Sequence, residues 1–322
     1  KNINRSGVYR LCKKLNLPLK RSKTIRDSRR FSYNNRMLMV LCDGKHFRAG
    51  PGNLKRVVLT FIDDCTRYAL HAICGASEKK ELFLQGMYEL LRRHGKMKAV
   101  YLDHGSAFIA HDVVTVFSQL GIGLIHGEVG YPQGRGKIER FNRTMHESLL
   151  RGFPNNPDII TSYSALSLRI NQYLLNDYNQ SMHSSLNESP KERFLRDPYP
   201  LDLFSNEQEL VSKFILYRER KVSADHIVKC NGLTYETPLG TAYGNVLLYE
   251  NAITHQVFID HQGKRIELLP VDLQFNALDK RGKVPKKMNR DTVVATAASE
   301  KFSRHFRKTA RSFKFKNQHI GS

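Results

Sequence analysis

The chain has 322 residues, 40% of them apolar and 25% charged, which supports a buried core and excludes wholesale disorder. Its 52 Lys and Arg exceed its 30 Asp and Glu by 22, with a sequence pI of 9.9. That balance argues against an acidic-substrate scavenger or a neutral housekeeping enzyme, and favours a polyanionic partner: nucleic acid first, an anionic membrane second.

Residues 1–36 hold 12 Lys/Arg against one acid, Asp27. Ser6 can cap a helix through about Leu15, with Val8, Leu11, Cys12 and Leu15 as an apolar stripe and Arg10, Lys13 and Lys14 facing away. Pro18 stops that helix, and KRSKTIRDSRR (20–30), ending in Arg29 and Arg30, is a basic linker. The segment reads either as the end of a helical DNA-binding unit or as a solvated basic face on a small helix.

From residue 37 the pattern changes. MLMVLCDG (37–44), KRVVLTFIDDC (55–65) and YALHAIC (68–74) predict three strands with turn signals between them. A helix follows at about 78–94, a buried strand at 98–103, a helix at 112–120 and a strand at 122–126. This order describes a mixed α/β sheet, antiparallel hairpins first and parallel crossovers after. GEVGYPQGRGK (127–137), with four Gly and one Pro, predicts a mobile loop. Helices follow at about 138–150 and 159–179, and Ser189-Pro190-Lys191-Glu192 is a capping box opening a short one.

Residues 211–275 predict a separate small β-domain. Asn231-Gly232 between IVKC and LTYE is a two-residue hairpin signal, and three further strands at 246–250, 256–260 and 264–269 suggest a small barrel. The last arm, 280–322, holds 13 Lys/Arg against Asp291 and Glu300, and predicts a helix at about 291–311. Lys286, Lys287, Arg304 and Arg307 are its candidate DNA contacts. Residues 37–279 carry 27 bases and 27 acids, so the whole net charge lies in two arms flanking a neutral body. The expected domains are 1–36, 37–196, 197–278 and 279–322.

No apolar run approaches the ~18 residues of a membrane span. No signal-peptide pattern opens the chain, which reads as intracellular; it begins Lys1-Asn2, consistent with a piece of something longer. The five Cys show no C-x-x-C, so neither a disulfide frame nor a zinc cluster is indicated.

Three acids stand out. Asp43 ends the first strand, Asp103 ends the fourth, and Glu139 opens the helix after the Gly-rich loop. In a mixed sheet the first and fourth strands can be neighbours, which puts both aspartates at one edge of a cleft. Hard cations want such carboxylates and keep open positions for water and phosphate. On the helix at 138–150, Ile138, Phe141, Met145 and Leu149 form the apolar stripe. Glu139, Asn142, Arg143 and His146 share the polar face. An ordinary surface helix would show the same face.

These residues resemble the DDE transposases and retroviral integrases. CDGKHF (42–47) resembles the first acidic motif, TFIDDCTRY (60–68) the second-strand signature and DHGSAF (103–108) the second acidic motif. GYPQGRGKIERFNRT (130–144) resembles the flexible loop and third motif, with the family's spacing of 35 residues between Asp103 and Glu139. YNQSMHSSLNESP (178–190) is similar to the segment after the core in bacterial insertion-sequence members. The likeness covers roughly 37–196, more weakly the β-domain (Mu-type transposases) and more weakly still the first arm. Val40 stands where many relatives carry Trp, and His104 where Asn is frequent.

The resemblance implies a ribonuclease-H-like core in which Asp43, Asp103 and Glu139 hold two Mg²⁺ (or Mn²⁺). It implies phosphodiester cleavage at transposon ends and 3′-hydroxyl strand transfer into target DNA. It also implies a homo-oligomer on paired ends, an ATPase target-selection partner of the kind some relatives use, no membrane, and a bacterial cytoplasmic, nucleoid-associated setting. Lys137, Arg140, Asn142 and Arg143 are candidate DNA-backbone contacts, each alternatively a solvated surface residue. Asp63 and Asp64 read as strand-end or turn residues. A non-catalytic DNA-binding derivative and a ribonuclease-H-type or junction nuclease are the alternative functions.

Overall fold

A computed structural model of the chain describes residues 5–15, 32–103, 105, 108–127 and 136–271. Arg29, Arg30, Lys286, Lys287, Arg304, Arg307 and the expected helix at 291–311 lie outside them. Helix α1 (Arg5–Lys14) forms where Ser6 and the i, i+3, i+4 stripe predict one. Val8, Leu11 and Leu15 nonetheless stay about half exposed, so its apolar stripe is not buried.

The central sheet is built from β1 (Met39–Ala49), β2 (Leu54–Asp63), β3 (Ala69–Gly75), β4 (Ala99–Leu102) and β5 (Gly123–His126), in the order β3-β2-β1-β4-β5. The first three strands pair antiparallel, and β4 and β5 join parallel, as the alternation of strands and helices predicts. Helices α2 (Lys80–His94) and α3 (His111–Leu120) cover one face, packing Phe83, Met87 and Phe117 onto Val40, Leu59, Phe61 and Val100. Helices α4 (Gly136–Ser148) and α5 (Tyr163–Tyr173) cover the other, packing Ile138, Phe141, Met145 and Ile170 onto Met39, Leu41, Val58 and Ile62. Successive residues of a strand point to opposite faces, so β1 alone splits its apolar residues between both cores.

Strand β1 runs five residues past the predicted end at 44, because β2 continues to pair with it up to Ala49↔Leu54. The helix expected at 159–179 starts only at Tyr163, capped by Ser162, and closes in one π-helical turn, Leu174–Tyr178. The Ser189 capping box forms and opens α6 (Pro190–Arg196) as read from sequence.

Contacts divide the chain into two compact units, and the boundary differs from the one expected at 197. One unit runs to Arg220 and includes Val246–Leu268; the other includes Lys221–Asn245. Phe194, Leu210, Phe214 and Leu216 enter the same buried cluster as α2 and α3, which keeps α7 (Glu207–Ser212) and β6 (Ile215–Lys221) with the central sheet. The second sheet orders β11-β10-β9-β6, where β9 is Asn245–Asn251, β10 Val257–His261 and β11 Lys264–Leu268. The hairpin β7 (Ile227–Cys230) and β8 (Leu233–Glu236) forms its own two-stranded ladder, with both Asn231 and Gly232 at positive φ. Among the described residues the ladders make a four-stranded sheet and a two-stranded hairpin, with Tyr235 of the hairpin bridged to Pro270, and the barrel that the strand count suggests is not shown by them.

Candidate active site

The parallel pairing of β1 with β4 runs Met39↔Ala99, Val40↔Val100, Leu41↔Tyr101. Carried two residues on, the same register sets Asp43 level with Asp103. Both share a strand face with Leu41 and Tyr101, the face toward α4 and α5. The chain leaves β1 for β2 on one side and β4 for β5 on the other, so the pair lies where the connections diverge. Open α/β sheets form their ligand crevices at such a point.

Each aspartate is held locally. The Asn142 side-chain amide donates to Asp43 Oδ2 at 2.8 Å, while its carbonyl accepts from Thr60 Oγ1 at 3.0 Å. Thr60 is the β2 partner of Asp43, so one buried amide ties α4, β1 and β2 together. Gly105 N donates to Asp103 Oδ1 at 2.9 Å, and His126 Nδ1 lies 3.1 Å from the Asp103 carbonyl. A Cβ on Gly105 would stand 2.9 Å from that same Oδ1 and 3.1 Å from the Phe108 ring, which explains a glycine two residues after the acid. His104, Ser106 and Ala107 of the motif lie outside the described residues.

Glu139 sits one helical turn before Asn142 on α4 and is exposed. Among the described residues no group of three or more His, Cys, Asp or Glu side chains is arranged to hold a metal ion. The β1–β4 register thus points the two aspartates to one level of the sheet, and Glu139 is placed on the adjoining helix.

The expected DNA contacts separate into two kinds. Arg140 and Arg143 are exposed on α4, as are Arg10, Lys13 and Lys14 on α1. Asn142 is only 4% exposed, and its amide is spent inside the protein, so its place on the predicted polar face is corrected. Lys137 is ion-paired with buried Asp64 at 2.6 Å, which answers that carboxylate rather than solvent. Asp63, also buried, accepts from Met37 N, Thr66 N and Thr66 Oγ1 and organises the β2–β3 turn.

Glu78 is a neighbour the sequence did not single out. Its carboxylate packs over Gly44, where a Cβ would come within 1.9 Å of Oε1, and it lies 3.5 Å from His46 Nε2. Burial, then Asp43, Asp103 and Glu78, push the Cys42 thiol well up. The adjacency of Gly44 to the acidic motif was the available signal.

The chain is similar to the transposase of transposon Tn552 from Staphylococcus aureus, 32% identical over 150 residues, which are 44% of this chain and 31% of that protein. It is also 28% identical over 111 residues to a Pol polyprotein of equine infectious anemia virus (isolate 1369), 34% of this chain and 10% of that one. The chain therefore spans about a third of the one relative's length and a tenth of the other's. No family model matches it. A solved simian T-cell lymphotropic virus intasome, in complex with a PP2A regulatory subunit, contains a chain 14% identical. It aligns at a TM-score of 0.46 over 78% of this chain and 82% of its own. The HTLV-2 integrase catalytic core in complex with magnesium aligns at 0.40, with 16% identity over 52% of this chain and 99% of its own. Over the stretches matched in sequence the chain is similar to a transposase and to retroviral Pol polyproteins.

Proposed function

We propose that this chain carries the catalytic core of a DNA transposase, which cuts at transposon ends and joins the freed 3′-hydroxyl to target DNA. The observation that carries the proposal is the parallel β1–β4 register, which ends at Leu41↔Tyr101 two residues before Asp43 and Asp103, with α4 locked to Asp43 through Asn142. The likeness to the Tn552 transposase supports the same reading.

Two half-buried carboxylates following one β1–β4 register fit a hard divalent cation, and Glu139, one turn before Asn142 on α4, would be the third carboxylate to hold it. A cation such as Mg²⁺ held there supplies neutralisation of phosphate charge and acidifies an attacking water or hydroxyl. The protein's own share is positioning. Asn142 fixes one Asp43 oxygen, and the Gly105 N–H fixes one Asp103 oxygen. No Ser, Cys or His nucleophile is required by such a reaction. In this reading the protein acts as a homo-oligomer on paired ends.

The test is Glu139→Gln, with Asp43→Asn beside it, assayed for cleavage and strand transfer on end DNA with Mg²⁺. Both variants should fall to the uncatalysed background while still binding DNA. Wild-type rates in either variant would remove the assignment. Hydrolysis of RNA–DNA hybrids or branched DNA without strand transfer would favour a nuclease on the same core.

A further inference from the structure

A cleft of 430 Å³ lies between the N-terminal half of α4, the turn joining β2 to β3, and the segment after the π-helical turn. Arg67, Arg140, His183, Ser184 and Ser185 line it, with Lys137 also in its wall. No carboxylate is among the lining residues.

Arg67 occupies the turn at φ 62°, in the left-handed region, with its backbone N–H bonded to the Asp63 carbonyl. Its Nη1 is buried and has no hydrogen-bond partner among the described residues. A buried cationic donor without a partner is a costly thing to leave in a folded protein. Across the cleft Arg140 reaches Ser185 Oγ at 3.3 Å, and Ser185 N donates to His183 Nδ1 at 3.3 Å. Burial, then Arg67 and Arg140, hold the His183 imidazole below its ordinary range, so both guanidinium charges are felt at one ring. The Asp64 carboxylate, whose charge also acts on Arg67, is bonded by Lys137 and by the Tyr33 N–H.

We propose that this cleft is a subsite for one phosphodiester of bound DNA, gripped by Arg67 and Arg140 with the Ser184 and Ser185 hydroxyls as neutral donors. Two guanidinium groups facing one cavity without a lining acid repel each other, and an anion between them turns that repulsion into attraction. Guanidinium groups match phosphate oxygens in both charge and geometry. Arg140 directly follows Glu139 on α4, so a strand seated in the cleft runs beside the candidate active site. The inference rests on the DNA reading above, and names where the backbone would be held.

The test uses the full chain, end-DNA duplex and a salt series without divalent ions. Arg67→Asn removes the charge with a residue that tolerates the left-handed region. Arg140→Gln removes the opposing charge from an exposed helix position. Each variant should bind more weakly and lower the slope of log K against log[salt] by about one, the effect of one phosphate contact. The double variant should lose little more than either single one, because both residues hold the same group. Thermal unfolding checks folding; if Arg67→Asn unfolds, Arg140→Gln carries the test.

Folded variants with wild-type affinity and slope would overturn the proposal. So would competition by inorganic phosphate that depends on Arg67 while DNA binding does not, since the cleft would then take a free anion. If the variants behave as expected but the wild type performs no metal-dependent chemistry on DNA, the subsite stands and the transposase reading falls.

Discussion

Asn142 shows how much a single side chain settles. On a helical projection it belongs with Glu139, Arg143 and His146, and a polar residue there reads as available to DNA. In the structure the helix rotates it onto β1 and β2, where Thr60 and Asp43 use both ends of its amide. Nothing in the periodicity of α4 separates an inward amide from an outward one, because the partner residues lie 82 and 99 positions away. Asp43 and Asp103 stand out in the sequence for the opposite reason: an acid ending an apolar strand breaks a local pattern. Glu78 was hidden, because its contact with β1 depends on where the β3–α2 turn folds back. Asn142→Ala should cost about 1–3 kcal/mol of stability, the penalty for leaving a buried hydroxyl and carboxylate short of a partner. It should also raise the Mg²⁺ needed for strand transfer by about 10–100-fold, as expected when a group orienting a ligand is lost. Denaturant titration reads the first and a metal titration of activity the second. An unchanged metal requirement would show that Asn142 only packs.

At the scale of elements, the strand and helix order from β1 to α4 follows the sequence pattern, because each element there is long or sharply bounded. The later strands also form where the pattern predicts them, but their pairing partners are not legible there, and Arg218 on β6 shows why. It makes a two-pronged contact with Asp112 of α3 at 2.9 and 2.8 Å and reaches Glu250 of β9 at 3.4 Å, while Lys80 of α2 also pairs with Asp112. All these charges are largely out of water, so they fasten β6 and β9 to the helices instead of leaving a free-standing barrel. A four-residue charge cluster scattered from 80 to 250 leaves no mark in any local window. The Arg218 guanidinium, helped by Lys80 and opposed by burial, holds the Asp112 carboxyl down to about 2. A carboxyl with a lowered folded pKa contributes stability that is present above its unfolded value, about 3.9, and is lost as pH falls toward 2. Arg218→Met should therefore destabilise by about 3–5 kcal/mol near neutral pH, the usual cost of breaking a buried pair from one side. The loss should shrink at about pH 2.5, where Asp112 is already partly protonated. Urea unfolding at both pH values measures this, and an equal loss at both would place the effect in packing rather than charge.

For the whole molecule the decisive quantity is where the charge lies along the chain. Residues 37–279 balance 27 bases with 27 acids, and those acids include Asp43, Asp103 and Glu139. Residues 1–36 and 280–322 hold 12 and 13 bases against one and two acids. Composition alone fixes this division, and it separates two jobs: a neutral centre can keep carboxylates for a cation, while basic ends supply attraction to a polyanion. Each neutralised phosphate contributes about 0.9 to the slope of log K against log[salt]. Deleting 280–322 should therefore flatten the slope for duplex DNA by several units, with an upper bound of about 12 if all 13 bases meet phosphates. The Arg67–Arg140 cleft contributes about one unit of its own, so the deletion and the cleft variants should add. A deletion that leaves the slope unchanged, in a chain that still unfolds at the wild-type temperature, would assign the C-terminal bases to a protein partner instead. An ATPase that selects the target would then be the first to test. That outcome would leave the neutral centre, with its aligned aspartates and its arginine cleft, as the part of the chain that holds DNA.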